Sequence, residues 1–77
     1  MTPPMAAETA IDLVVNGQRR TIRVPATLAD LLAGLELDAR VVVVEHNGEI
    51  VRDRSSLATR SLGAGDVLEI VHFVGGG

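Results

Sequence analysis

The stretch Ile11-Asp12-Leu13-Val14-Val15-Asn16-Gly17-Gln18-Arg19-Arg20-Thr21-Ile22-Arg23-Val24 decides the fold. Ile11, Leu13 and Val15 alternate with Asp12 and Val14, and Asn16-Gly17 follows. Both central residues of a type I′ turn need positive φ, so Asn-Gly between two alternating runs is the strongest short-range hairpin signal. A two-residue loop pairs Val15 with Gln18, Leu13 with Arg20 and Ile11 with Ile22. That register puts Ile11, Leu13, Val15, Ile22 and Val24 on one face, in agreement with the hydrophobic pattern.

Pro25 stops the second strand, and Thr27 offers a helix N-cap. Asp30, three residues later, comes close to a capping box. Leu28, Leu31, Leu32 and Leu35 fall at i, i+3, i+4 and i+7, which predicts a helix over about 27–35. Gly34 weakens its end, and Asp38 lies beyond it. The β-branched run over 41–45 reads as a buried strand. His46-Asn47-Gly48 turns the chain, and residues 49–51 make a short strand. Residues 52–60 lack a clean period and read as a loop, or a turn of 3₁₀ helix around Leu57. Gly63-Ala64-Gly65-Asp66 forms a tight turn, and residues 67–74 the last strand.

A hairpin, a helix laid across its sheet and a last strand returning to the middle make an α+β, ubiquitin-like β-grasp arrangement. The sheet is mixed, of four to five strands, with one helix packed on one face. The expected organisation is a flexible leader over 1–10, the domain over 11–74 and a flexible glycine tail over 75–77.

Composition narrows the function. The chain has 77 residues, enough for one small domain with a thin core. Seven basic against ten acidic residues leave a net charge of −3, a poor basis for binding nucleic acid. One Phe and no Trp or Tyr remove any stacking platform for bases. Without Cys there is no disulfide, thiolate nucleophile or Cys-ligated metal. All the basic residues are Arg, which removes Schiff-base chemistry and a P-loop lysine. Such a chain is not expected to be an enzyme by itself. Residues 1–9 lack the charged and apolar regions of a secretory signal. The longest aliphatic run, residues 41–44, is far short of the ~20 residues a membrane span needs. A soluble, cytoplasmic protein, monomeric alone, is the expectation.

Gly75-Gly76-Gly77 is the most unusual local feature. Glycine contributes no packing and costs ordering entropy, so the run adds no stability. It is either a fraying end or a slender reach. Three residues span up to ~10 Å with no side chain to block a narrow channel. Because the run follows a well-formed strand directly, the reach is favoured, with Gly75 and Gly76 threading and Gly77 presenting its carboxylate. At neutral pH that carboxylate is an anion and a poor electrophile, with an ordinary pKa of ~3.3–3.7. Acyl transfer therefore calls for activation, such as a mixed anhydride with AMP. This domain has no means of binding ATP, so it becomes the substrate of an adenylating enzyme.

Two blocks carry a family resemblance. The first comprises Leu31-Leu32, Leu35, Leu37-Asp38, Arg40, Val42-Val43-Val44-Glu45 and Asn47-Gly48-Glu49-Ile50-Val51. The second comprises Gly65-Asp66 and Glu69-Ile70-Val71-His72-Phe73-Val74-Gly75-Gly76-Gly77. Together they resemble the sulfur carrier family of thiamine biosynthesis (ThiS-like), from about residue 11 to 77. The resemblance implies a β-grasp fold and a terminal glycine, matched by Gly77, that is adenylated and becomes a thiocarboxylate. It implies an E1-like adenylyltransferase that uses ATP, a thiazole synthase that consumes the sulfur, and a donor such as a cysteine desulfurase. The carrier itself binds no cofactor. The family commonly has Pro-Arg after the Ile-Val pair and a Trp a little later. Here Arg52-Asp53-Arg54 follow Val51, and Leu57 takes the Trp place. The small subunit of molybdopterin synthase and a ubiquitin-like modifier use the same terminal activation. The Val-His-Phe-Val-Gly-Gly-Gly ending favours the thiazole carrier.

Other residues are weighed against plainer roles. Val41 and Val43 point opposite to Val42 and Val44, and Leu68, Ile70 and His72 opposite to Val67, Val71 and Phe73. Some aliphatics therefore face away from the helix, as a partner site, under the 52–62 loop or simply scattered. Phe73, with Val74, is the expected docking anchor beside the tail. His46 and His72 lack a third ligand and are read as surface or satisfied histidines, with no metal site. Arg19, Arg20 and Arg23 protect an edge strand from pairing. Asp12, Glu45, Glu49, Asp53, Asp66 and Glu69 read as a solvated surface without an acid/base pair.

Overall fold

A computed structural model describes residues 9–72. The expectations for the leader up to residue 8, for Phe73 and Val74, and for the glycines at 75–77 lie outside the described residues. Strands β1 (Ala10–Val15) and β2 (Gln18–Arg23) form the hairpin. Val15 pairs with Gln18, Leu13 with Arg20 and Ile11 with Ile22. Asn16 and Gly17 take φ of 51° and 82°, the left-handed values that this turn demands.

Helix α1 (Leu28–Gly34) begins in a complete capping box. The Thr27 hydroxyl accepts the Asp30 N–H at 3.2 Å, and the Asp30 carboxylate accepts the Thr27 N–H at 2.9 Å. The helix stops through Glu36, not through Gly34. Glu36 adopts a φ of 61°. Its N–H then reaches the Ala33 carbonyl, and the Leu37 N–H reaches that of Leu32. These are the two bonds of a Schellman cap, with Glu where Gly is usual.

Asp38 next accepts the Arg40 N–H and curls the chain into a 3₁₀ turn (Ala39–Val41). That turn takes Val41 out of the expected strand and leaves it exposed. Strand β3 accordingly runs Val42–His46. A second Asn-Gly turn leads to β4 (Glu49–Ile50), and Asp53 caps another 3₁₀ turn (Arg54–Ala58). Strand β5 (Val67–His72) returns to the middle. The sheet order is β2-β1-β5-β3-β4, with β1 and β5 parallel and the other pairs antiparallel.

The core lies between α1 and one sheet face. Leu13 and Val15 of β1, Val42 and Val44 of β3, and Leu68 and Ile70 of β5 meet Leu28, Leu31 and Leu32 of α1. The segment after β4 joins this same face. Leu57 and Leu62 are buried in the core. Leu28 N–H bonds the Arg60 carbonyl and Leu62 N–H the Ala26 carbonyl. The segment thus lies beside α1 and leaves the opposite sheet face open.

Two polar residues depart from the sequence reading. His46 belongs to β3 rather than to the turn, and it is buried. Asp66 is not part of a solvated surface: its side chain is 15% exposed and pairs with His46 at 2.8 Å.

Candidate functional site: the exit of the central strand

The expected chemistry lies beyond His72, and β5 is the last described element before it. At its start, Asn47 grips Val67 from both sides of the peptide unit. The Asn47 N–H donates to the Val67 carbonyl at 2.8 Å, and its Oδ1 accepts the Val67 N–H at 2.8 Å. Asn47 Nδ2 also donates to Asp66 Oδ1 at 3.0 Å. Asp66 further accepts the Gly63 N–H at 2.8 Å, which closes the turn ahead of the strand. Arg60 Nη1 lies 3.2 Å from His46 Nδ1. A guanidinium only donates, so Nδ1 accepts and Nε2–H donates to Asp66. Burial pushes the Asp66 carboxyl up, but the bonds from Gly63, His46 and Asn47 outweigh it and hold the group below its usual range.

Further along, β1 reaches only to the pairs Val14 with Val67 and Val15 with Leu68. Asn16 then takes over: its N–H donates to the Leu68 carbonyl at 2.8 Å. Its side-chain Oδ1 accepts the Ile70 N–H at 2.7 Å, and Nδ2 donates to the Ile70 carbonyl at 3.2 Å. Val71 and His72 project past the hairpin turn. On their other side β3 keeps them in register, Val43 with Val71 and Val42 with His72. The strand is therefore held to its last described residue.

The open sheet face beside this exit is apolar with an acidic insert. Val71 is 59% exposed, Val67 45% and Ile50 43%, and Val43 is half-buried. Glu45 and Glu69 sit directly opposite each other between these side chains. Like charges in that position repel. The face is thus suited to a partner that brings apolar groups and a cation.

Of the expected site residues, Phe73, Val74, Gly75, Gly76 and Gly77 lie outside the described residues. Pairing with β3 resolves which side of β5 faces out: Val67 and Val71 are exposed, and Leu68 and Ile70 buried. The sequence reading missed Asn16 and Asn47 as clamps on β5, although each stands before a turn glycine. Among the described residues no three His, Asp or Glu side chains gather into a group able to hold a metal. Nor is any helix among them long and apolar enough to cross a membrane.

Comparison with known proteins places this geometry. A protein named Thiazole synthase from Paramagnetospirillum magneticum is 48% identical over 65 residues, 84% of this chain. The chain spans only 20% of that protein's length. Sulfur carrier protein ThiS from Bacillus subtilis is 47% identical over 51 residues, 66% of this chain and 76% of that protein. The crystal structure of the thiamine biosynthesis protein ThiS from Geobacter metallireducens superposes with a TM-score of 0.74 at 33% identity. That match covers 87% of this chain and 100% of the other. A solution structure of a thiamine biosynthesis protein from the same organism gives a TM-score of 0.72 at 33% identity, over 87% and 88%. The five-stranded mixed sheet with one helix is the β-grasp fold of these proteins. Residues 13–77 match the ThiS family, and the chain belongs to it.

Proposed function

We propose that this chain is the sulfur carrier for the thiazole of thiamine and that it carries sulfur on Gly77. The observation that supports this most is the family match, which runs through the last strand to Gly77. With its carboxyl free, Gly77 attacks the α-phosphorus of ATP within an E1-like adenylyltransferase and expels pyrophosphate. The outer sulfur of a persulfide on a donor such as a cysteine desulfurase then displaces AMP from the acyl carbon, and a thiol outside this chain cleaves the resulting acyl disulfide, ending in a disulfide with the donor's own sulfur. The product is a thiocarboxylate, and thiazole synthase consumes it. A chain without Cys has no thiol to hold a persulfide, so the acyl end must take the sulfur.

In this reading the domain is a protein cosubstrate, not a catalyst. It binds no cofactor, and ATP belongs to the partner. Gly75 and Gly76 are the thread that enters the partner's channel. Phe73 and Val74 are docking residues, together with the apolar face around Val71. The thiazole synthase segment that is 48% identical to this chain supports the same assignment of partner. The test is incubation with ATP, the cognate adenylyltransferase and a sulfur donor, followed by intact-mass analysis. The expected result is a gain equal to the difference between sulfur and oxygen. A mass that never changes overturns the proposal.

A further inference from the structure

One edge of the sheet, two strands from β5, carries a second set of features. Among the described residues, strand β2 is an edge strand. Antiparallel pairs alternate between bonded and non-bonded positions. The tight turn makes Val15 with Gln18 a bonded pair, and the Val24 N–H donates to the Thr9 carbonyl at 3.1 Å in the same phase. The even-numbered residues of β2 therefore bond β1. The N–H and C=O groups of Arg19, Thr21 and Arg23 point outward along the open edge.

Beside that edge a groove of about 230 Å³ runs between β2 and α1. Ile22, Ala26, Leu31 and Leu35 give it an apolar lining, and Arg20 and Arg23 stand along it. Asp30 also borders the groove, but its carboxylate is engaged by the Thr27 N–H. Arg19, Arg20 and Arg23 form no ion pair among the described residues. Three of the chain's seven basic residues thus lie within one six-residue strand without an ion pair among the described residues, in a protein of net charge −3.

We propose that this edge and groove bind an extended acidic segment of a partner protein, which adds to β2 as a sixth strand. Strand addition takes its affinity from main-chain bonds and its specificity from alternate side chains. Here the outward groups of Arg19, Thr21 and Arg23 supply the main-chain bonds. Alternate apolar residues of the segment settle against Ile22, Leu31 and Leu35. The intervening acidic residues face Arg19 and Arg23 on the other side. The same arginines repel a second β2 edge, so the edge is closed to copies of itself and open to an acidic strand. This site lies apart from the β5 exit and does not depend on the chemistry proposed for Gly77.

The probe is a soluble, strand-length peptide alternating Ile or Val with Asp or Glu, titrated into the full chain and followed by amide NMR. Saturable shifts centred on residues 19–23 and on α1 are expected, with slower exchange of the Arg19, Thr21 and Arg23 amides. The variant Arg19→Glu/Arg23→Glu, with its fold verified by circular dichroism, should weaken binding about tenfold or more, and added salt should weaken it in the parent. Equal binding of a peptide with Lys in place of the acids overturns the proposal. So do shifts confined to Val43 and Val71. Protection of the three amides without peptide also overturns it. If removal of residues 1–8 abolishes that protection, the occupant is the chain's own N-terminal segment. If dilution abolishes it, the occupant is a second copy.

Discussion

The side chain of Asn16 pairs with the backbone of Ile70 as a strand residue would, accepting its N–H at 2.7 Å and donating to its carbonyl at 3.2 Å. It does so across 54 positions of sequence. Asn47 grips Val67 in a related way from the other Asn-Gly turn. The central strand is therefore pinned at two points by turn residues that also satisfy their own left-handed backbone.

Asn16→Gly isolates the clamp from the turn. Glycine accepts the φ of 51° readily but has no amide to offer Ile70. Two partly buried hydrogen bonds are lost, and a stability decrease of about 1–3 kcal/mol is expected. Urea titration measures it, and the Ile70 amide should exchange faster with solvent. Unchanged stability would place the strand's anchoring in the backbone ladder alone.

Glu36→Gly should act in the opposite direction. A side chain in the left-handed region costs roughly 1–2 kcal/mol, and glycine is the usual residue at this point of a Schellman cap. Glycine also loosens the unfolded chain, so the net gain should be smaller, about 0.5–1 kcal/mol. A raised melting temperature is the readout.

Asp66 makes the fold sensitive to acid. Its folded pKa lies below its unfolded one, so its contribution is complete above the ordinary aspartate value of about 3.9 and is lost as pH falls through the depressed value. Asp66→Asn should lower stability at neutral pH and make the decline below pH ~4 shallower. Asp38 and Asp53 keep part of that decline. Hydrogen bonds from Arg40 hold Asp38 at about 2, and bonds from Ser55 lower Asp53. Urea midpoints measured across the acid range test this.

The open face yields a prediction in which stability and binding separate. Glu69→Gln removes a like-charge pair with Glu45, worth roughly 0.2–1 kcal/mol, and should raise the melting temperature slightly. The same change should weaken binding to the adenylyltransferase, as should Val71→Asp and Phe73→Ala. Val71 is exposed, so its substitution should alter stability by no more than about 0.5 kcal/mol. Isothermal titration against the partner, with circular dichroism on each variant, distinguishes lost docking from lost folding. Arg19→Ala is the control and should leave this affinity nearly unchanged.

Deletion of Gly77 should abolish sulfur loading while changing stability by well under ~1 kcal/mol. Mass spectrometry reads the first effect and thermal melting the second. A large fall in melting temperature would give the glycines a structural role instead.

The hairpin and helix were legible because their signals are local. Asn16-Gly17 fixes its own turn, and Leu28, Leu31 and Leu32 declare one face by spacing alone. The extent of α1 was legible too, but what stops it was not, since Glu36 adopts a conformation that its residue type disfavours and the Leu32 and Ala33 carbonyls stabilise. The β-branched neighbours of Val41 predict a strand there, whereas Asp38, accepting the Arg40 N–H on its side chain and the Val41 N–H on its carbonyl, turns it away. His46 and Asp66 meet across 20 positions, and no periodicity announces such a pair. At the candidate site, the outward side of β5 could be chosen only once β3 supplied its register. The roles of Phe73, Val74 and the three glycines rest on the family resemblance.

The placement of β5 also has a mechanical consequence. The strand lies between a parallel neighbour, β1, and an antiparallel one, β3, with the clamps of Asn16 and Asn47 along it. Tension applied at its His72 end acts along the strand axis. It loads these bonds together, in shear, and does not peel them apart one by one. An enzyme that draws the residues beyond His72 into its channel would thus be pulling on a handle riveted into the middle of the sheet. The force needed to extract that handle would be shared among all its fastenings.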